Sequence, residues 1–146
     1  MKISIGSDHG GYELKTAIVA HLENMGYSVV DVGTHSSDRC DYPDYAAAAA
    51  RLVASGECDR GIVICTTGIG VSISANKIKG IRCALLYDVI SARMTRSHND
   101  TNMMALGAAM IQPELAIQLV DIWLSTPFSG EPRHQQRVDK IMALEK

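Results

Sequence analysis

The segment CTTGIG, residues 65–70, places a thiol, two hydroxyls and two glycines directly after the apolar run GIVI. Such a turn between a strand and a helix presents unpaired N–H groups and the positive end of the helix dipole. These groups would bind an anion and would also stabilise a thiolate, which makes Cys65 a candidate base. An alternative fits the local sequence equally well: Cys65 is an inert, small apolar residue at the end of the strand. The candidate anion-binding residues of the turn are Thr66, Thr67, Gly68, Ile69 and Gly70.

Two other pairs of neighbouring residues have side chains suited to acid–base or binding chemistry. Asp8 and His9 directly follow the first apolar run, where ligands gather in an open parallel sheet. His98 and Asn99 lie at the end of a predicted helix, and histidine titrates near neutral pH. The second pair also fits a helix C-cap, with His98 near the last carbonyls and Asn99 in the left-handed region.

The segment RHQQR, residues 133–137, places Arg133 and Arg137 on one helical face, with His134 beside them. Two guanidinium groups in this arrangement can bind a phosphate. The solvated, charged start of a terminal helix produces the same pattern. Tyr42 precedes Pro43 and is therefore expected to be extended, either over a ligand or packed on its own loop.

Several kinds of site lack their sequence signature. Neither the dinucleotide fingerprint G-x-G-x-x-G nor the Walker pattern is present, so nucleotide binding has little support. The cysteines, Cys40, Cys58, Cys65 and Cys83, form no C-x-x-C pair and are expected to be free thiols. His35 and Cys40 lie five residues apart, but such spacings are usually coincidental for zinc. We predict no metal site.

Composition excludes further classes of protein. The chain has 146 residues, 47% of them hydrophobic, which fits one domain spanning residues 1–146. A net charge of −2, without a Lys/Arg cluster, argues against binding to nucleic acid or to an anionic membrane. The start, MKISIGSDHGG, turns polar too early for a signal peptide, and no apolar run approaches the ~18 residues of a membrane span. We therefore expect a cytoplasmic protein.

Short apolar runs alternate with helical patterns along the whole chain, which predicts an α/β fold with a parallel five-stranded sheet between helices. The predicted strands are 2–7, 27–33, 60–65, 81–87 and 102–107. The predicted helices are 11–25, 44–55, 69–78, 88–97, 113–125 and 132 to the end.

Two features of this topology bear on the site. The helix after the fourth strand must end at the amino edge of the sheet, away from Asp8 and Cys65. If His98 is catalytic, it then serves the site of a neighbouring subunit, and a dimer is implied. The loop TPFSGEP, residues 126–132, is predicted to release the last helix from the body of the domain.

The order of these motifs resembles the RpiB/LacAB sugar-phosphate isomerase family, in particular its type B ribose-5-phosphate isomerases. The similarity is carried by GSDHGGYELK, DVGTHSSDRCDYPDYA, GIVICTTGIGVSISANKIKGIRCAL, SHNDTNMMALG and RHQQRVDKI, and so covers essentially the whole chain. It implies a Rossmann-like three-layer sandwich and a homodimer or dimer of dimers. A C-terminal helix would reach the partner subunit, and the active site would lie at the interface. It further implies interconversion of ribose 5-phosphate and ribulose 5-phosphate without metal or cofactor.

The resemblance also implies roles for individual residues. Cys65 matches the base that moves a proton between C1 and C2 through a cis-enediolate. Thr67, Gly68 and Gly70 match the anion hole for this intermediate. His98 matches the residue that opens the furanose ring. The positions matching substrate contacts are Asp8, His9, Tyr42, Thr66, Ile69, Asn99 and His134, with Arg133 and Arg137 on the phosphate.

Two positions depart from the family pattern. Thr66 replaces the glycine of C-G-T-G; a β-branched residue does not readily adopt positive φ, so either the turn differs or it has no need of positive φ there. Ala109 replaces an arginine that binds phosphate, a loss of about 1.5–3 kcal/mol if uncompensated.

These departures leave two alternatives to a ribose-5-phosphate isomerase. One is an isomerase of a six-carbon phosphate such as allose 6-phosphate or galactose 6-phosphate. The other is a non-catalytic sugar-phosphate-binding protein, against which the joint presence of Cys65, Thr67 and His98 argues.

Overall fold

The computed structural model describes residues 1–146 and contains one five-stranded sheet in which every neighbouring pair of strands is parallel. The strand order is β2-β1-β3-β5-β4. The strands are β1 (Lys2–Ser7), β2 (Ser28–Asp31), β3 (Arg60–Cys65), β4 (Cys83–Leu85) and β5 (Met103–Gly107). The predicted fold class is confirmed.

Helices cover both faces of the sheet and so complete a three-layer sandwich. Leu14, Ile18, Leu119 and Trp123 belong to a buried cluster on one face, and the alanines of the 46–50 run contribute to a second cluster on the other. The helices are α1 (Tyr12–Asn24), α2 (Tyr42–Ala54), α3 (Ile69–Asn76), α4 (Val89–Asn99), α5 (Pro113–Ser125) and α6 (Pro132–Met142). No helix combines the length and apolar character that crossing a membrane requires.

The alternation of side chains in β1 explains how the two layers are built. Ile3 and Ile5 enter the cluster formed with α1 and α5. Ser4 points to the other face, where its hydroxyl donates to the carbonyl oxygen of Ala49 at 2.9 Å. The small side chains of α2 bring that helix close to the sheet, and a Cβ on Gly6 would lie 2.9 Å from the Tyr45 carbonyl oxygen. Ala46, Ala49 and Ala50 of this helix are accordingly fully buried.

The end of α1 matches its local signal, whereas β4 is shorter than predicted. Gly26 adopts a φ of 90° directly after the C-cap of α1, the left-handed conformation that suits glycine at a helix end. The edge strand β4 is shorter than the predicted 81–87. On its free edge the Asn76 side chain accepts from the Cys83 N–H at 2.8 Å and donates to the Cys83 carbonyl at 2.9 Å. This contact takes the place of a further strand.

The start of α2 corrects one prediction. Tyr42 is the first helical residue rather than an extended one, and the extended conformation belongs to the N-cap Asp41, with φ −97° and ψ 117°. Pro43 then occupies the first turn, where its missing N–H costs no helical hydrogen bond. The helix therefore begins earlier than the predicted residue 44.

The loop before α6 does not release that helix from the body, contrary to the prediction. His134 and Val138 are buried, and α6 packs against α4 of the same chain. The carboxylate of Glu145, beyond the end of α6, accepts from the Gly80 N–H at 2.8 Å. The polar character of the loop reflects its exposure and does not report how the following helix packs.

Candidate active site

The turn after β3 holds the Cys65 thiol against the beginning of α3. Gly68, the N-cap of α3, donates its backbone N–H to Cys65 Sγ at 3.1 Å. The N–H groups of Gly70 and Val71 have no acceptor within the chain, as expected for the first turn of a helix. The sulfur therefore lies beside a hydrogen-bond donor and at the positive end of a helix dipole.

Gly68 is the residue that this turn requires to be glycine. Its φ is 80°, and a Cβ there would lie 2.5 Å from Leu85 Cδ1 and 2.8 Å from the Leu106 carbonyl carbon. Thr66 has no positive φ, so the turn does not need glycine at this position. The backbone carbonyl oxygen of Thr66 also accepts the Ala109 N–H at 2.9 Å, which connects the turn to the residues after β5.

A cavity of about 420 Å³ opens over Cys65 at the carboxyl edge of the sheet. It collects most of the residues predicted around the thiol: Asp8, Tyr42, Cys65, Thr66, Thr67, Ile69, Gly70 and, in addition, Ile73. Asp8 is buried and accepts the Gly11 N–H at 3.1 Å, which fixes its carboxylate at the end of β1. The ring of Tyr42 lies against Gly70, where a side chain would collide with it, and so forms one wall of the cavity.

His9 does not line this cavity, although the sequence pairs it with Asp8. Its Nδ1 accepts the Cys40 N–H at 3.2 Å, so the proton of the neutral ring is on Nε2. His9 instead lines a neighbouring cavity of about 350 Å³, together with Ala108 and Ala109. The alanine that replaces the family arginine thus faces open space beside His9.

The other predicted residues form a second cluster at the opposite edge of the sheet. α4 ends at Asn99, whose carbonyl oxygen accepts from Arg82 Nε at 3.1 Å, just before β4 begins. The left-handed C-cap residue is Asp100, with a φ of 46°, and not Asn99 as the C-cap interpretation expected. The short carboxylate of Asp100 explains its tolerance for this conformation.

The rings of His98 and His134 pack together in this second cluster, with centroids 4.2 Å apart. His134 Nδ1 lies 2.6 Å from Ser129 Oγ. Burial, followed by the nearby charges of His98 and Arg133, lowers the pKa of His134 below the usual histidine value. His134 is therefore neutral at pH 7 and suited to orient the His98 ring.

The two predicted phosphate ligands lie on the exposed face of α6. Arg133 Nε contacts the Glu131 carboxylate at 2.7 Å, and this hydrogen bond and charge hold the pKa of Glu131 below its usual range. Arg137 is exposed on the same helix, one turn further along. A phosphate would have to compete with Glu131 for Arg133, whereas Arg137 makes no ion pair within the chain.

Tyr87 is a residue near the site that sequence reasoning missed. Its hydroxyl donates to the Thr67 carbonyl oxygen at 3.0 Å, although 20 residues separate the two. The sequence places it at the end of the fourth predicted strand, at the carboxyl edge of the sheet, and this position was the available signal.

The remaining thiols differ from Cys65 in their surroundings. Burial raises the pKa of Cys58, and burial raises the pKa of Cys83 to about 12, so both are protonated at neutral pH. All four cysteines are free. No group of three or more His, Cys, Asp or Glu side chains is arranged to hold a metal ion.

Fold and site together define a Rossmann-like α/β protein that presents a thiol to the turn at the start of α3. The chain belongs to the ribose/galactose isomerase family, whose sequence model matches residues 3–141. It is 51% identical over 144 residues to ribose-5-phosphate isomerase B of Escherichia coli (strain K12), and the match covers 99% of this chain and 96% of that protein. The family expected from the motifs is confirmed.

Solved structures show the same similarity. Ribose-5-phosphate isomerase B of Clostridium thermocellum superposes with a TM-score of 0.97 at 53% identity, covering 99% of this chain and 97% of that one. The enzyme of Mycoplasma genitalium, solved with bound ribulose 5-phosphate, superposes with a TM-score of 0.95 at 40% identity, covering 99% and 95%.

Proposed function

We propose that the chain, acting as one isomerase domain over residues 1–146, interconverts ribose 5-phosphate and ribulose 5-phosphate. The observation that carries this proposal is the Cys65 thiol, which accepts the Gly68 N–H beside the unpaired amides of α3. The relatives named above as ribose-5-phosphate isomerases, one of them with bound ribulose 5-phosphate, support the same substrate. Sugar phosphates are metabolites of the cytoplasm, which we propose as its location.

In the proposed reaction, the Cys65 thiolate removes the proton from C2 of the open-chain aldose. The electron pair of that C–H bond forms the C1–C2 double bond, and negative charge moves to O1. The turn stabilises this cis-enediolate, since the N–H groups of Gly70 and Val71 are free to donate to it. The O2 hydroxyl proton then moves to O1, and the thiol returns its proton to C1 to give the ketose. No net oxidation occurs.

His98 has the proposed role of opening the furanose ring before this step. Ring opening requires removal of the proton of the anomeric hydroxyl and protonation of the ring oxygen, and imidazole performs both transfers near neutral pH. His134, stacked on His98 and held by Ser129, keeps the ring in position. Asn99 and Asp8 are proposed to bind the sugar hydroxyls.

The placement of the two clusters supports a composite site built from two chains. Cys65 lies at the carboxyl edge of the sheet and His98 near the amino edge, so one chain cannot bring both to one sugar. Ile69 and Ile73 of α3 line the Cys65 cavity and are 49% and 57% exposed, and Ile90 and Met94 of α4 are 72% and 43% exposed, each pair at helical spacing. We therefore propose a homodimer, or a dimer of dimers, that buries these side chains.

In such an assembly the phosphate of the sugar would be bound by the partner's α6. Arg133 and Arg137 lie on that helix, on either side of the neutral His134, whose ring packs against His98. Binding energy from the phosphate would position the sugar far from the reacting carbons. His9, on the same side as Cys65, is proposed to contact the sugar phosphate from its neighbouring cavity.

A second candidate substrate is a six-carbon aldose phosphate. The cavity of about 350 Å³ beside His9 supports it, because Ala109 leaves room there for a longer chain. The chemistry at Cys65 would be the same for both substrates.

A substrate panel tests the proposal. Purified protein is incubated with ribose 5-phosphate, allose 6-phosphate and unphosphorylated ribose, and ketose formation is followed with and without a chelator. We expect turnover of ribose 5-phosphate that the chelator does not change, and little turnover of ribose. A higher kcat/KM for allose 6-phosphate would favour the second candidate. Absence of turnover for both phosphates, despite binding, would favour a sugar-phosphate-binding protein.

A further inference from the structure

The peptide unit that joins Thr67 to Gly68 is hydrogen-bonded on both of its sides. Its N–H donates to Cys65 Sγ at 3.1 Å. Its carbonyl oxygen accepts the Tyr87 hydroxyl at 3.0 Å and has no other donor within the chain. Because a trans peptide is planar, its N–H and C=O point in opposite directions, and fixing one group fixes the other.

We propose that Tyr87 is a positioning residue for the proposed base. By holding the Thr67 carbonyl, its hydroxyl keeps the Gly68 N–H directed at the Cys65 sulfur. The two hydrogen bonds also polarise the peptide in the same sense, since a donor on the carbonyl makes the N–H a stronger donor. Tyr87 thereby stabilises the Cys65 thiolate without touching the substrate.

Tyr87 supplies the one hydrogen bond that the carbonyl of this peptide accepts, beside the packing of the Thr67 carbonyl against Gly107. The N-cap Gly68 has no side chain and makes no side-chain cap hydrogen bond. The backbone of Tyr87 directly precedes Asp88, whose carboxylate caps α4 by accepting the Ser91 N–H at 2.8 Å.

The test replaces Tyr87 with phenylalanine, which removes the hydroxyl and keeps the ring. Tyr87 is 36% exposed, so this change is not expected to prevent folding, and thermal unfolding checks that it has not. The rate of iodoacetamide alkylation at Cys65 is measured by mass spectrometry as a function of pH. The titratable side chains that share the cavity with Cys65 are Asp8 and Tyr42, and neither is altered.

We expect alkylation of Cys65 in Tyr87→Phe to be about threefold to tenfold slower at pH 7, the loss that one net hydrogen bond represents. The midpoint of the pH profile should rise correspondingly, by about half to one pH unit. At high pH, where the thiol is fully ionised in both proteins, the rates should converge. The matched control is Tyr27→Phe, since the Tyr27 side chain packs against the core and its hydroxyl makes no hydrogen bond. It should behave as the wild type.

Equal alkylation profiles for wild type and Tyr87→Phe would overturn the inference. A rate lowered by the same factor at every pH would also overturn it, because that pattern reports access to the thiol and not its ionisation. The role of Tyr87 in catalysis rests on the proposed function, but the alkylation profile does not. A shifted profile in a protein that fails to isomerise ribose 5-phosphate would therefore support Tyr87 as positioning residue while the proposed function fails.

Discussion

Replacement of Cys65 by alanine is expected to lower kcat for ribose 5-phosphate isomerisation about 10²–10⁴-fold, the range that a positioned general base contributes. The physical reason is the loss of the acceptor for the C2 proton, while the N–H groups of the turn and the rest of the cavity remain. KM should therefore change little, because Asp8, Tyr42 and the arginines are untouched. Steady-state kinetics on the purified variant measures both parameters.

Cys83→Ala is the matched control for this experiment. It makes the same chemical change in a thiol whose pKa burial raises to about 12 and which lies outside the Cys65 cavity. The control should retain wild-type kcat. Unchanged kcat in the folded Cys65→Ala variant would remove Cys65 as the base. A rise in KM with constant kcat would assign it to substrate binding instead.

Mixing two inactive variants is expected to restore activity if the site is shared between subunits. Cys65→Ala damages the cluster at the carboxyl edge, and His98→Asn damages the cluster near the amino edge. A hybrid dimer then has one site with both defects and one site with neither. Random pairing makes about half of the dimers hybrids, so about a quarter of wild-type activity should return. Unfolding and refolding the variants together, followed by a turnover assay, measures the recovery.

The control mixture combines Cys65→Ala with Asp8→Asn. Both residues line the same cavity, so every site in the hybrid has a defect and no activity should return. Failure of the Cys65 and His98 variants to complement, under conditions where hybrid dimers are shown to form, would contradict the composite site. The two clusters would then have to act separately.

The elements that could be predicted from sequence are those that short-range signals define. The bounds of β1, β3 and α5 are the predicted ones, because a continuous apolar run or a first-turn proline marks each of them. The position of α6 could not be predicted, since it depends on contacts such as that of Glu145 with Gly80, 65 residues apart. The length of β4 could not be predicted either. It depends on the position of β4 at the edge of the sheet, and only the strand order of the structure shows that position.

The same distinction applies to the site. The turn at 65–70 could be predicted because its glycines and hydroxyls follow a strand directly, and the structure collects it with Asp8 and Tyr42. The separation of His9 from Asp8 depends on the Cys40 amide, which a loop brings to the ring. Tyr87 belongs to no sequence motif. Its role depends on one hydrogen bond to the Thr67 carbonyl, 20 residues away, and could therefore not be predicted.

The most direct test of the central claim is alkylation of the wild-type protein by iodoacetamide with activity followed in parallel. If the Cys65 thiolate is the base at which ribose 5-phosphate reacts, loss of activity should track modification of Cys65 alone, and ribose 5-phosphate should slow both. Cys58 and Cys83 should react far more slowly, since burial raises the pKa of each thiol. Full modification of Cys65 with retained turnover would contradict the account.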